Sequence, residues 1–234
     1  MELEQLLTYP YDGELLLRKQ RAIRRELLAK ETAYIDLRVA ILGGSTTTEF
    51  KNLLQIFLLR LGIRAEFYES EYNRYYEDSV FPNAELERFR PQLIFIFTSF
   101  VNILGLPHVT DSIQEVAAKL NTEYARYEKM WQALAKRYDA VIVQNNMEQP
   151  YMMPLGSLDA VLPQGMWQFV DALNGRFARY AQGHENFYLN DIHYLAAQIG
   201  LEIWYSRFEY YAYKFGMSYA VLPSVAAGAA QRTG

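Results

Sequence analysis

Five short apolar runs, each separated from the next by room for at least one helix, constrain this chain more than any other feature. The runs are 35–42 (IDLRVAIL), 63–68 (IRAEFY), 92–98 (QLIFIFT), 139–144 (DAVIVQ) and 186–189 (NFYL). Each has strand length. "LIFIF" and "AVIV" are hydrophobic without alternation, as strands covered on both faces are. Segments 12–30, 49–61, 111–137, 164–182 and 191–200 carry apolar residues at helical spacing. Strand alternating with helix requires crossover connections, and right-handed crossovers place helices on both faces of a parallel sheet. The predicted fold class is α/β: a three-layer α/β/α sandwich with a five-stranded parallel sheet, flavodoxin-like in type.

The 234 residues suit one such domain. We divide them into an N-terminal helical segment over 1–34, the α/β domain over 35–222 and a flexible tail over 223–234. The tail, "SVAAGAAQRTG", is built of small residues in the manner of a linker.

Ligands of parallel α/β sheets bind beyond the carboxyl ends of the strands. Here those ends carry Gly43-Gly44-Ser45, Tyr68 to Tyr76, Thr98 to Asn102, Asn145-Asn146, and Asn190-Asp191-Ile192-His193. The stretch "RVAILGGSTTTEF" leaves two readings of Ser45 open. It is a nucleophile on a strand-to-helix turn, or the N-cap of the next helix. Serine hydrolysis also needs a base, a group that orients the base, and an oxyanion hole. His193 is the candidate base, and Asp191 either orients it or caps the helix it begins. Gly44, Asn102, Tyr72, Asn73 and Tyr75 are the candidate oxyanion and substrate-binding residues. Tyr72, Tyr75 and Tyr76 are expected to rim the Ser45 pocket. Tyrosine suits that place because it buries a ring and keeps its hydroxyl wet, and the chain has 19.

Composition removes other classes. There is no cysteine, and the histidines His108, His184 and His193 are scattered, so no metal site is expected. The net charge is −4, and no basic stretch interleaves with aromatics, which argues against a nucleic-acid partner. The cluster Arg18, Lys19, Arg21, Arg24 and Arg25 reads as the solvated face of an amphipathic helix. No run reaches membrane-spanning length, and the acidic N-terminus lacks a signal-peptide core. A cytoplasmic domain without a membrane partner or cofactor is expected.

Gly-x-Ser after the first strand, an Asn after a middle strand and an Asp near a late His resemble the SGNH (GDSL-type) hydrolase superfamily. A fuller likeness runs through "LRVAILGGSTTTEFKNLL", "GIRAEFYESEYNRYYED", "PLGSLD" and "LNDIHYLAAQIGLEIWY…YAYKFGMS". These segments resemble the N-terminal domain of FkbH-like proteins, which joins an SGNH-like domain to a haloacid-dehalogenase (HAD) type domain. The resemblance implies ester hydrolysis or acyl transfer, an acyl or glyceryl carrier protein and a HAD-type domain as partners, and a place in polyketide and related pathways. The alternative is a non-catalytic docking or scaffold domain, for a carrier protein or a HAD-type partner domain, that kept the fold and lost the triad. The chain departs from the superfamily pattern at Gly44, where an Asp is usual, and at Asn190, which holds the usual acid position while Asp191 stands one step later. The Asp-x-Asp-x-Thr motif of a HAD-type domain is absent from the sequence.

Overall fold

The structure is a computed structural model that describes residues 6–9, 12–30 and 32–233. Of the segments delimited from sequence, 1–5, 10, 11, 31 and 234 lie outside the described residues. Five strands form one parallel sheet: β1 (Ile35–Gly43), β2 (Ile63–Glu69), β3 (Leu93–Phe97), β4 (Val141–Asn145) and β5 (Phe187–Asn190). Their order is β2-β1-β3-β4-β5.

The pleat sorts the sheet residues between two cores. Val39, Ile41, Phe95, Phe97 and Val143 point into one; Ala40, Leu42, Ile94, Ile96 and Ile142 point into the other. The first core is covered by α1 (Gly13–Leu28) and α2 (Thr48–Arg60), with later helices added below. The second is covered by α3 (Tyr75–Val80), α4 (Ala84–Phe89), α5 (Ile113–Arg137) and α6 (Met166–Gly183). The chain leaves β1 for β2 over the first face and returns to β3 over the second. The crossovers therefore diverge between β1 and β3, the switch point at whose carboxyl ends ligands of such sheets bind.

Beyond β5 the chain returns to the first face through α7 (Ile192–Ile199), α8 (Leu201–Trp204) and α9 (Arg207–Tyr213). It ends in α10 (Leu222–Thr233), which overturns the expected flexible tail. Val225, Ala226, Ala229 and Ala230 of α10 are at most 1% exposed and belong to the first core. Their small side chains let the helix lie close against α2, a reason for small residues that composition does not separate from that of a linker.

Candidate functional site

The turn after β1 is stitched to both neighbouring strands. The Gly43 N–H donates to Ser70 Oγ at 3.0 Å, and the Gly44 N–H donates to Phe97 O at 3.0 Å. Ser45 follows, 3% exposed. It does not cap α2, against the capping reading: the N-cap is Thr47, two residues later, and its side chain makes no capping bond. The threonines serve another purpose. Thr47 Oγ1 and Thr48 Oγ1 donate to Glu69 Oε1 at 2.7 and 2.9 Å, and Lys51 pairs with Glu69 Oε2. Burial raises the Glu69 carboxyl, but the bonds from Lys51, Thr47 and Thr48 outweigh it and hold the group below its ordinary value.

Asn102 lies beside this turn as expected, but its amide is occupied. Nδ2 donates to Gly44 O at 2.7 Å, and Oδ1 accepts from the Ser99 N–H at 3.0 Å. A Cβ on Gly44 would stand 2.5 Å from Asn102 Nδ2, so only glycine permits this approach. The amide thus braces the turn; the Gly44 N–H is not free to meet an oxyanion, and one of the two Asn102 Nδ2 hydrogens is spent on Gly44 O. Behind Asn102, Arg126 of α5 donates to its carbonyl at 2.9 Å, to Glu123 at 2.5 Å and to the Tyr75 hydroxyl at 2.7 Å. Burial works against the Arg126 charge, yet Tyr127, Glu123 and Tyr75 more than offset it. Tyr75, 4% exposed, is therefore a buried partner of Arg126 rather than a pocket rim, and Tyr76 packs into the second core. Tyr72 is 51% exposed, and Asn73 adopts the left-handed region with φ 59°.

His193 and Asp191 stand at the end of β5 with partners of their own. β1 and β5 are separated by β3 and β4, three spacings or about 14 Å across the sheet, so only the loops beyond the strand ends can bring Ser45 and His193 together. The His193 ring Nδ1 lies 3.2 Å from Met147 O and 3.4 Å from Asn174 Nδ2. Met147 O is an acceptor only, so a bond to it requires the proton on Nδ1 and leaves Nε2 with the ring's lone pair. Asp191 does not orient this ring. Its carboxylate caps α7 by accepting from the Tyr194 N–H at 3.0 Å and accepts from Asn146 Nδ2 at 2.7 Å. Among the described residues, no hydrogen bond joins Ser45, His193 and Asp191.

Ser45 instead meets groups that the sequence did not single out. The segment after α8 passes over the turn like a strap: the Thr46 N–H and hydroxyl donate to Lys214 O and Tyr213 O at 2.9 and 2.8 Å. Gly216 then touches two serines at once. A Cβ there would fall 2.6 Å from Ser99 Oγ and 3.2 Å from Ser45 Oγ. Ser99 is 1% exposed, and its hydroxyl has no partner. Next to it, the Phe100 N–H donates to Glu148 Oε2 at 3.0 Å. The Trp204 indole lies against this carboxyl outside hydrogen-bonding geometry. Burial dominates at Glu148 and pushes it up to about 7. Glu148 stands three positions beyond β4, where strand-end logic would look, but a lone acid in "NNMEQP" has no spacing signature. Trp204 and Gly216 reach the site only through the path of the chain after β5.

The profile described as "FkbH, N-terminal domain" matches residues 38–230. The chain belongs to the FkbH N-terminal domain family. No curated protein matches it. Among solved structures, it resembles the N-terminal part of the protein BF1531 from Bacteroides fragilis, described as containing a phosphatase domain complexed with Mg. Identity is 17% and the TM-score 0.76, over 90% of this chain and 55% of that one. The chain therefore spans little more than half of that structure. A looser likeness, with a TM-score of 0.47 and 13% identity, is to the C-terminal catalytic domain of Streptococcus pneumoniae peptidoglycan O-acetyltransferase A, over 86% of this chain and 91% of that one. In this FkbH N-terminal domain no described helix is long and apolar enough to cross a membrane.

Proposed function

We propose that this FkbH N-terminal domain works by docking, as the scaffold on which an acyl or glyceryl carrier protein or a HAD-type domain is held, and not as a serine hydrolase. The surroundings of Ser45 carry this reading. Its hydroxyl lies under Gly216, Asn102 Nδ2 is turned to Gly44 O, and among the described residues no hydrogen bond joins the Ser45 hydroxyl to His193, whose Nδ1 lies against Met147 O. A serine whose hydroxyl is not hydrogen-bonded to a base is a poor nucleophile. The phosphatase domain named for BF1531 is in keeping with a phosphatase-type partner, for which a HAD-type domain is the candidate. In this reading the domain acts in the cytoplasm, where small acyl or glyceryl units are loaded for polyketide and related pathways.

A fluorophosphonate probe tests the proposal directly. Labelling of the wild-type chain should not exceed that of Ser45→Ala, and p-nitrophenyl acetate turnover should stay at background. Labelling lost in Ser45→Ala, with turnover lost in both Ser45→Ala and His193→Ala, would replace docking with ester hydrolysis or acyl transfer at Ser45.

A further inference from the structure

Residues 18–25 of α1, RKQRAIRR, hold five basic side chains and no acidic one, in a chain whose net charge is −4. Sequence reasoning treats them as a solvated face. The fold gives part of that face a second wall. α1 buries Leu16, Ile23 and Leu27, and its flank then stands beside the outer surface of α2, leaving an open cleft of about 530 Å³. Arg21, Arg24 and Arg25 form one side; Glu49 and Asn52 of α2 form the other. Ile56 closes the floor, and Leu28 is left 43% exposed at one end.

The charges of this cleft are unbalanced. Glu49, the acid on its lip, already accepts from Gln20 Nε2 at 2.9 Å. Among the described residues, none of the five basic side chains joins an ion pair; the pairs present involve Lys51, Arg64, Arg74, Lys119 and Arg126. A trough between two helices with an apolar floor and a charged wall has the form in which a third, amphipathic helix is recognised. From Gln20 to Leu28 the wall runs for about 12 Å at 1.5 Å per residue, some two turns of such a helix. Guanidinium groups along it call for carboxylates, which they bind in paired, planar geometry.

We propose that the α1–α2 cleft is the docking site for an acidic amphipathic helix of the partner protein. An apolar residue of that helix rests between Leu28 and Ile56, and its Asp or Glu side chains meet Arg21, Arg24 and Arg25. This inference rests on the docking reading and says where the partner sits.

The test uses the full chain and two fluorescein-labelled helical peptides of about 16 residues. Both carry a Leu stripe, one flanked by Glu and the other by Gln. In fluorescence anisotropy at about 0.05 M salt, the Glu peptide should bind at least about tenfold tighter than the Gln peptide. The difference should shrink at about 0.3 M salt, as screening requires. Arg24→Glu/Arg25→Glu should weaken the Glu peptide at least about tenfold, and the milder Arg24→Gln/Arg25→Gln should fall between. Hydrogen-exchange protection should map to 20–28 and 49–56. Equal binding of the two peptides, undiminished binding to the charge-reversed variant, or protection confined to other segments would overturn the proposal. So would a single-stranded oligonucleotide that binds the same arginines more tightly than the Glu peptide. Failure of the peptide with Ser45 still unlabelled moves the partner elsewhere and leaves docking intact; labelled Ser45 would defeat docking whatever the peptide does.

Discussion

Gly44 and Asn102 show how tightly single positions are determined at this site. The Gly44 backbone lies so close to the Asn102 amide that a methyl group would overlap it. Gly44→Ala should therefore cost about 1–3 kcal/mol in denaturant unfolding, the usual penalty of overpacking. Asn102→Ala should cost a similar amount, about 1–3 kcal/mol, because it leaves Gly44 O and the Ser99 N–H without their partner. The double variant should lose clearly less than the sum, since the second substitution removes what the first collides with. Strict additivity would mean that the amide swings away freely. Sequence showed that Asn102 belonged near Ser45. It did not show that Nδ2 would be spent on Gly44 O, because that depends on a separation of a few ångströms between the ends of β1 and β3.

Among the elements, the least legible from sequence is α10. "SVAAGAAQR" is read as a linker because it lacks large apolar residues, yet alanine is also the best helix former. What distinguishes the two is a second helix to pack on. Ala226, Ala229 and Ala230 supply close contact with the first core, and nothing in their own segment announces it. Ala229→Leu should force α10 off α2 and cost about 1–3 kcal/mol. Gln231→Leu, two residues on but exposed, should stay within about 0.5 kcal/mol of the parent. If thermal unfolding finds the two equally harmless, α10 is only loosely docked. The five strands and the helices α1, α2, α5, α6 and α7, by contrast, fall close to where periodicity placed them. Each carries its own burial pattern, so no distant partner is needed to recognise it.

At the scale of the whole molecule, Glu148 couples folding to pH. Its carboxyl is raised by burial from an ordinary 4.5 to about 7 in the folded chain. The stability tied to its protonated form is fully present below about pH 4.5 and is lost as pH rises through 7, because the unfolded chain ionises first. At about 1.4 kcal/mol per unit, the loss is roughly 3 kcal/mol. Glu148→Gln keeps an acceptor for the Phe100 N–H and does not titrate. The wild-type stability minus that of the glutamine variant should therefore fall by roughly 3 kcal/mol between about pH 4 and pH 8. Parallel stability curves for the two proteins would show that the carboxyl is not held neutral.

Taken alone, the sequence determined the α/β class, the five parallel strands, their carboxyl ends as the place for polar residues, and the FkbH-type likeness. All of these rest on local periodicity or on short segments that can be read in place. Tertiary structure decided which of the strand ends meet. The order β2-β1-β3-β4-β5 puts Ser45 beside Ser99 and Asn102 and leaves His193 with Met147 and Asn174. It also brings Trp204 against Glu148 and Gly216 over Ser45. Those contacts join residues from 19 to 171 positions apart in the chain. Their geometry is set by the direction each crossover takes and by how closely α10 and the strap before it pack, and no window of the sequence contains either.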